Sequence, residues 1–291
     1  VKNDKSKFSR VNALSIDVSN KEALEALVEK HDLAISLIPY TQHALILDAC
    51  VKYKKHMVTT SYINPNMAKY AKAAEEAGIT CFNEVGVDPG IDNLYAVKTI
   101  HDIKEQGGLV ETFLSYCGGL PAPEASNNPL GYKFSWSSRG VLLALRNSAK
   151  YLQDGKVVEV TGSQLMDIAK PIYIYPAFAF EGYPNRDSTP YSEKYNIPEV
   201  KNLIRGTLRY QGFPTFVKVL NCLGFLDEEP KAYLSGAGSS VTWPFILGNI
   251  LGLDKSSFND NEKLISAISK KINLENLGSK EDQQRIIDSF K

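Results

Sequence analysis

Leu33-Ala-Ile-Ser-Leu-Ile-Pro39-Tyr-Thr-Gln-His-Ala-Leu-Ile-Leu-Asp-Ala-Cys50-Val-Lys-Tyr-Lys-Lys-His56-Met-Val-Thr-Thr-Ser61 reads as strand, helix and strand in succession. Leu33 to Ile38 is a short apolar run of the kind buried in a parallel sheet, and Pro39 ends it. Thr41 to Lys54 carries Ala44, Leu45, Ile46, Leu47 and Ala49 as a helix, and His56 to Ser61 is the next strand. Two strands joined through a helix form a parallel βαβ unit, and the alternation continues on both sides. Upstream, Val11 to Val18 reads as a strand. Ser19 and Asn20 then cap a helix over Lys21 to Lys30, with Ala23, Leu24, Leu27 and Val28 on one stripe. Downstream, Asn64-Pro65 opens a helix ending at Gly78, Ile79 to Glu84 is a fourth strand, and a Gly-rich turn spans Gly86 to Asp92.

The pattern changes after Val110. Val110 to Cys117 alternates as a strand, Gly118 to Gly131 is a loop rich in Gly, Pro and Asn, and the region to Tyr210 shows clean helical period only over Val141 to Leu152. Beyond Phe213 the chain is helical again: Phe216, Val217, Val219, Leu220 and Leu223 make a stripe closed by Gly224, and Leu264 to Ile287 suggests two more helices. The first part therefore predicts half of a doubly wound nucleotide-binding sheet. Its usual phosphate loop is missing, since no G-x-G-x-x-G occurs, and Gly236-Ala-Gly238 comes nearest with Val241 where the third Gly would stand. Two explanations fit: a fold that binds no dinucleotide, or an N-terminus lacking its first βαβ unit.

Composition narrows the function classes. The 291 residues hold 33 Lys+Arg against 33 Asp+Glu, which leaves no surplus of cations for nucleic acid or an anionic membrane surface. No apolar run approaches the roughly 18 residues that span a bilayer, so a soluble protein is expected. Val1 to Arg10 lacks the apolar core of a secretory signal. Cys50, Cys81, Cys117 and Cys222 are scattered, without CxxC or histidine at ligand spacing, so neither a disulfide framework nor a metal site is expected, and a reducing cytoplasm is.

In an open α/β sheet ligands bind beyond the carboxyl ends of the strands. That rule selects Asp17-Val18, Ile38-Pro39-Tyr40, Thr59-Thr60-Ser61-Tyr62 and Val87-Asp88-Pro89-Gly90. Asp17 also reads as a turn or cap residue, and Ile38 as plain core. Asp92 reads as the cap of the following helix, whereas Asp88, between Val87 and Pro89, has the surroundings of an acid or base that works near neutrality. Cys117 closes a strand beside Gly118-Gly119, as a reactive thiol or a small buried hydrophobe. Arg186 in Tyr183-Pro-Asn-Arg-Asp-Ser188, and Arg205 and Arg209 in the aromatic, Gly-bearing run to Gly212, suit carboxylate recognition.

Asn83 to Tyr95, Leu120-Pro-Ala-Pro-Glu, Leu130-Gly-Tyr-Lys-Phe-Ser-Trp-Ser-Ser-Arg-Gly and Tyr183-Pro-Asn-Arg-Asp-Ser together resemble the glutamate-forming saccharopine dehydrogenases, also called saccharopine reductases. The resemblance runs to about Gly224. It implies an oxidoreductase of lysine biosynthesis through the aminoadipate pathway, converting saccharopine reversibly to glutamate and 2-aminoadipate 6-semialdehyde with NADP, or with NAD. It implies an α/β fold: a Rossmann-like parallel sheet missing its first βαβ unit over 1–92, an α+β substrate-binding and dimerisation domain over 93–210, and a small helical domain over 211–291. A homodimer and a partial chain follow from the same comparison.

For site residues, the resemblance and the strand-end rule together point to Asp17, Val18, Ile38, Thr60, Val87, Asp88, Pro89 and Ser137 on the cofactor. Ser61, Tyr62, Asp88, Arg186, Thr207, Leu208 and Arg209 fall on the substrate, with Asp88, Tyr62 or Cys117 moving the proton. Two other readings stay open, a related dehydrogenase that reduces C=N bonds and a non-catalytic amino-acid-binding module.

Overall fold

A computed structural model describes residues 11–135, 137–235 and 241–291. Val1 to Arg10, Trp136 and the Gly236-Ala-Gly238 stretch lie outside the described residues. The chain divides into two compact units between Asp102 and Ile103.

The first unit is an α/β layer. Its elements are α1 (Lys21–Glu29), β1 (Leu33–Ser36), α2 (His43–Tyr53), β2 (His56–Thr59), α3 (Pro65–Ala68), α4 (Ala71–Glu76), β3 (Cys81–Phe82) and α5 (Ile91–Glu105), the last running past the unit boundary. The three strands form one parallel sheet in the order β1-β2-β3, with Ile35 opposite Val58 and Val58 opposite Phe82. Asn20 caps α1 by accepting from Ala23 N at 3.1 Å, and α2 ends on Lys54 in the left-handed region. Leu24 and Val28 of α1, Ile46, Leu47, Ala49 and Cys50 of α2, and Met57 of β2 close the core.

Three expectations are corrected here. Val11 to Val18 is no strand: residues 11–16 join no ladder, Val11 and Leu14 are 53% and 70% exposed, and only Ile16 packs on the core. A strand needs a partner edge, and apolar alternation alone does not supply one. The described sheet therefore has three strands rather than four. The helix from Asn64 to Gly78 is two short helices, because Tyr70 N turns back to Met67 O at 3.0 Å and tightens the backbone there. Asp92 is not the cap of the next helix but lies in its first turn, where its Oδ1 accepts from Gly90 N at 2.7 Å.

The second unit is built on a mixed sheet. Its elements are β4 (Thr112–Cys117), α6 (Ser138–Ala144), β5 (Ala149–Gln153), β6 (Lys156–Val160), β7 (Lys170–Ile172), β8 (Phe180–Pro184), α7 (Tyr191–Lys194), β9 (Asn202–Tyr210), α8 (Phe213–Leu223), α9 (Trp243–Leu251), α10 (Asn261–Lys271) and α11 (Lys280–Asp288). The sheet order is β6-β5-β9-β8-β7, with β4 pairing in parallel along β9. The helix expected over Val141 to Leu152 stops at Ala144. Its remainder, Ala149 to Gln153, is β5, recruited by antiparallel pairing with β6.

Helix α8 joins two cores. Phe213 and Val217 face the sheet with Tyr132, Leu145, Leu165 and Tyr183, while Phe216, Val219 and Leu223 face the helices with Leu247, Leu264, Ile268 and Ile286. The two sets are offset around one helix at three- and four-residue spacing, which makes α8 apolar nearly all round. Gly224, at φ +88°, ends it as the sequence predicts.

Candidate active site

In the first unit the carboxyl ends of the strands gather the hydroxyl and acid groups. Ile38 lies just past β1, half-buried on the core, and Thr60, Ser61 and Tyr62 follow β2. The Gly-rich loop past β3 is anchored on them: Val85 N donates to Thr59 O at 3.2 Å and Glu84 N to Ser61 O at 3.1 Å. Gly86 N donates to Pro89 O at 2.8 Å, and a Cβ on Gly90 (φ +153°) would lie 2.0 Å from Gly86 O, so only glycine fits. This tight loop presents Asp88, and the Tyr62 hydroxyl donates to its Oδ1 at 2.7 Å. Val87 beside it is 64% exposed and Pro89 is buried. Sequence reasoning brings Tyr62 and Asp88 to the same sheet edge, and the structure joins them.

Asp17 and Val18 do not follow a strand. Asp17 forms a turn, its Oδ1 accepting from the Ser19 N–H at 2.9 Å and hydroxyl at 2.7 Å, and these bonds hold its carboxyl below the usual range. Val18 is half-buried next to it.

A histidine outside the expected set lies under this edge. His43, 1% exposed at the start of α2, faces the Ser36 hydroxyl at 2.7 Å through Nδ1, and Ser61 at 2.8 Å and Thr59 at 3.1 Å through Nε2. Ser36 and Thr59 are each 1% exposed. Burial pushes the His43 pKa below its ordinary value. The available sequence signal was a histidine opening an apolar helix between two strands that end in hydroxyl residues.

In the second unit the cationic and thiol groups share β9 and its neighbours. Cys117, the last residue of β4, is half-buried and paired with Thr207, which also pairs with Tyr183 of β8. The alternation of a strand puts Arg205, Thr207 and Arg209 on one face of β9. The Arg209 guanidinium, 8% exposed, stacks 4.9 Å from the Tyr132 ring centre and 5.2 Å from that of Phe213. Its Nη1 donates to Leu208 O at 2.9 Å, and among the described residues its Nε has no hydrogen-bond partner. Such a planar guanidinium, held on aromatic faces with a donor left over, has the chemistry that carboxylate recognition requires. Burial pushes the Tyr183 phenol up to about 12, although the charge on Arg209 opposes the shift.

Arg205 is held differently, stacked 4.4 Å from Tyr191 and donating to its hydroxyl at 2.6 Å. Arg186 is exposed, with φ +54°, in a turn fixed by Lys150 N donating to its carbonyl at 2.8 Å. Such a conformation is uncommon for a side chain of this size, and the surrounding ladder enforces it. Ser137 caps α6, its hydroxyl accepting from Gly140 N at 3.0 Å.

Sequence and structure comparisons agree on the lineage. Residues 2–82 match the saccharopine dehydrogenase NADP binding domain and residues 86–288 the saccharopine dehydrogenase C-terminal domain. Saccharopine dehydrogenase [NADP(+), L-glutamate-forming] of Schizosaccharomyces pombe is 54% identical over 96% of this chain and 61% of its own length. Its namesake in Saccharomyces cerevisiae is 50% identical over 96% of this chain and 60% of its own. Mouse mitochondrial alpha-aminoadipic semialdehyde synthase is 43% identical over 93% of this chain and 29% of its own. The solved apo saccharopine dehydrogenase (L-Glu forming) of S. cerevisiae superposes with a TM-score of 0.83 at 49% identity, covering 98% of this chain and 62% of that one. The chain thus spans about three fifths of the length of the fungal relatives it matches. With both family domains matched across a shared α/β fold, the chain belongs to the saccharopine dehydrogenase family.

Proposed function

We propose that this chain carries the substrate chemistry of an NADP-dependent, glutamate-forming saccharopine dehydrogenase, interconverting saccharopine with glutamate and 2-aminoadipate 6-semialdehyde in lysine biosynthesis. The observation that carries the proposal is the Tyr62 hydroxyl on the Asp88 carboxylate at 2.7 Å, at the strand ends of a chain of this family. In the reductive direction the glutamate amine adds to the aldehyde, water leaves, and the C=N bond is reduced. Each stage moves a proton, and a positioned acid or base contributes about 10² to 10⁴-fold. Asp88 is first choice for that role, with Tyr62 as its hydrogen-bonded partner and Cys117 as the alternative. Arg209 supplies a buried cation for one substrate carboxylate, and Arg186 and Thr207 contribute to the same recognition, while Leu208, its side chain on the other face of β9, contributes through its backbone carbonyl, which accepts from Arg209. Ser61 and Tyr62 also face the substrate in this reading.

NADP, when bound, supplies the hydride. Of this chain's residues, Ile38, Thr60, Val87, Asp88 and Pro89, just beyond the strand ends, would hold the cofactor in this reading. Asp17, Val18 and Ser137 complete the cofactor set in this reading, although the Ser137 hydroxyl already caps a helix. No G-x-G-x-x-G occurs in the 291 residues, and weak NADPH binding by this chain alone is the expectation drawn from that motif's role in holding a pyrophosphate. The same absence favours a second reading, an amino-acid-binding module without turnover. A cytoplasmic homodimer completes the proposal, its four cysteines being free thiols.

The test is Asp88→Asn, assayed with saccharopine at saturating NADP. It should retain saccharopine binding within a few fold and lose about 100-fold or more in kcat. An unchanged kcat removes Asp88 from the mechanism, no turnover in the parent chain favours the binding module, and micromolar NADPH affinity in calorimetry contradicts the weak-binding expectation.

A further inference from the structure

We infer that His43 is the positioning residue of the Tyr62–Asp88 pair, an inference whose bearing on substrate rests on the function proposed above. Its imidazole bridges the two strand ends that the pair depends on. Ser36 closes β1, Thr59 closes β2, and Ser61 stands one residue before Tyr62; all three hydroxyls lie within 3.1 Å of a His43 ring nitrogen. The backbone of the same residues then holds the loop that carries Asp88. Thr59 O accepts from Val85 N and Ser61 O from Glu84 N, and Ser61 N donates to Thr59 Oγ1 at 3.4 Å. Glu84 in turn accepts from Ile63 N at 3.2 Å, tying the loop to the far side of Tyr62. The chain of contacts therefore runs from His43 through Thr59 and Ser61 to both members of the pair.

The chemistry of the ring fits positioning rather than catalysis. A Ser–His contact of 2.8 Å is the geometry of a nucleophile and its base, and the imidazolium such a base forms is most often stabilised by a carboxylate on its other nitrogen. Nδ1 instead faces the Ser36 hydroxyl, and among the described residues no carboxylate partners either nitrogen. An imidazolium formed here would be buried without a counter-charge. A neutral imidazole needs one donor and one acceptor, and each hydroxyl around it serves as either, so the network closes in either tautomer. Buried polar groups satisfied in this way rigidify the structure around them.

Two amide replacements separate the ring nitrogens. His43→Gln puts an amide where Nε2 reaches Ser61 and Thr59, while His43→Asn reaches only the Nδ1 side toward Ser36. Both variants are made in the full chain and compared with wild type by saccharopine calorimetry and by amide hydrogen exchange. His43→Asn should weaken saccharopine binding about tenfold, the effect of one lost hydrogen bond. It should also raise exchange at Glu84 and Val85 about tenfold relative to Leu24 and Val28 of α1, and His43→Gln should restore both readouts to within about twofold. If wild type and both variants bind equally well, or if exchange rises uniformly through the unit in both variants, His43 is structural only and the inference falls. If wild type fails to bind saccharopine, the functional proposal fails, and local exchange at Glu84 and Val85, rescued by Gln and not by Asn, still decides for or against His43.

Discussion

The two units solve the problem of a functional sheet edge in opposite ways. The first holds short parallel strands of two to four residues, covers its core with α1 and α2, and leaves Leu33, Ile35, Leu37 and Phe82 between 45% and 71% exposed. Its strand ends bring together the Asp88 carboxylate, the Tyr62 phenol and the hydroxyls of Ser36, Thr59 and Ser61, the last three around the buried His43. The second is organised on the nine-residue strand β9, has Leu203 and Val219 at 0% exposure, and buries two guanidinium groups against aromatic rings. The difference lies in where charge is placed: the Tyr62–Asp88 pair stands at an open strand end, whereas the guanidiniums of Arg205 and Arg209, which do not titrate, are buried against aromatic rings.

The sharpest test of the second unit is Phe213→Ala. Phe213 is 2% exposed, packs in the sheet-side core with Tyr132 and Val217, and flanks Arg209. Its removal should cost about 3 to 5 kcal/mol, read as a fall in the urea midpoint. It should also weaken saccharopine binding, because the guanidinium loses one of its stacking faces. Loss of stability with unchanged binding would separate Arg209 from substrate recognition.

Next in size is Gly206→Ala. A Cβ there would lie 2.3 Å from Cε1 of Tyr116 and 3.0 Å from the Tyr183 carbonyl, so the ring of Tyr116 must leave its slot. A cost of about 1 to 3 kcal/mol follows, and thermal unfolding should show it as a drop of roughly 2 to 12 °C. Near-neutral behaviour would mean that the sheet yields more easily than its packing implies.

The two units also differ in how locally their elements are specified. In the first unit most elements are local: Asn20 caps α1, Pro39 opens the turn between β1 and α2, and Gly78 follows the end of α4, so the alternation emerges from neighbouring residues. In the second, β5 owes its state to β6 and to Leu203, some fifty residues away, and Val141 to Leu152 could not reveal it. The site divides likewise. The strand-end positions of Tyr62 and Asp88, and the place of Thr207 and Arg209 on one face of β9, follow from the strand pattern, but His43 reads as one polar residue on an apolar helix until Ser36, Thr59 and Ser61 are folded around it.

The pH response should differ between the units, by a smaller amount. All four histidines, His31, His43, His56 and His101, lie in the first unit, and burial holds the His43 pKa below its unfolded value of 6.5. A group whose folded pKa is depressed in this way binds fewer protons in the native state. Its contribution is complete above about pH 6.5 and is lost as the pH falls below that value, with a slope of at most about 1.4 kcal/mol per unit from this one group. Protection factors for amide exchange, corrected for the intrinsic pH dependence, should therefore fall in α2 between pH 6.5 and 5 more than in β9, where the buried charges are guanidiniums that do not titrate. His43→Gln should flatten the α2 response; an unaltered profile would assign it to another group.

The smallest expected effect probes the exposed face of the parallel sheet. Ile35 is 65% exposed in the middle of β1, paired with Val58, so replacing it with Thr keeps the β-branch and removes no buried contact. Such a change should alter stability by no more than about 0.5 kcal/mol, against the several expected at Phe213. The same substitution also tests whether this face stays wet in solution. A loss of about 2 kcal/mol or more, together with a concentration-dependent mass by light scattering, would mean that Ile35 is buried against another molecule. The first unit would then owe part of its stability to association, and the contrast with the self-contained core around β9 would be one between a shared core and a private one.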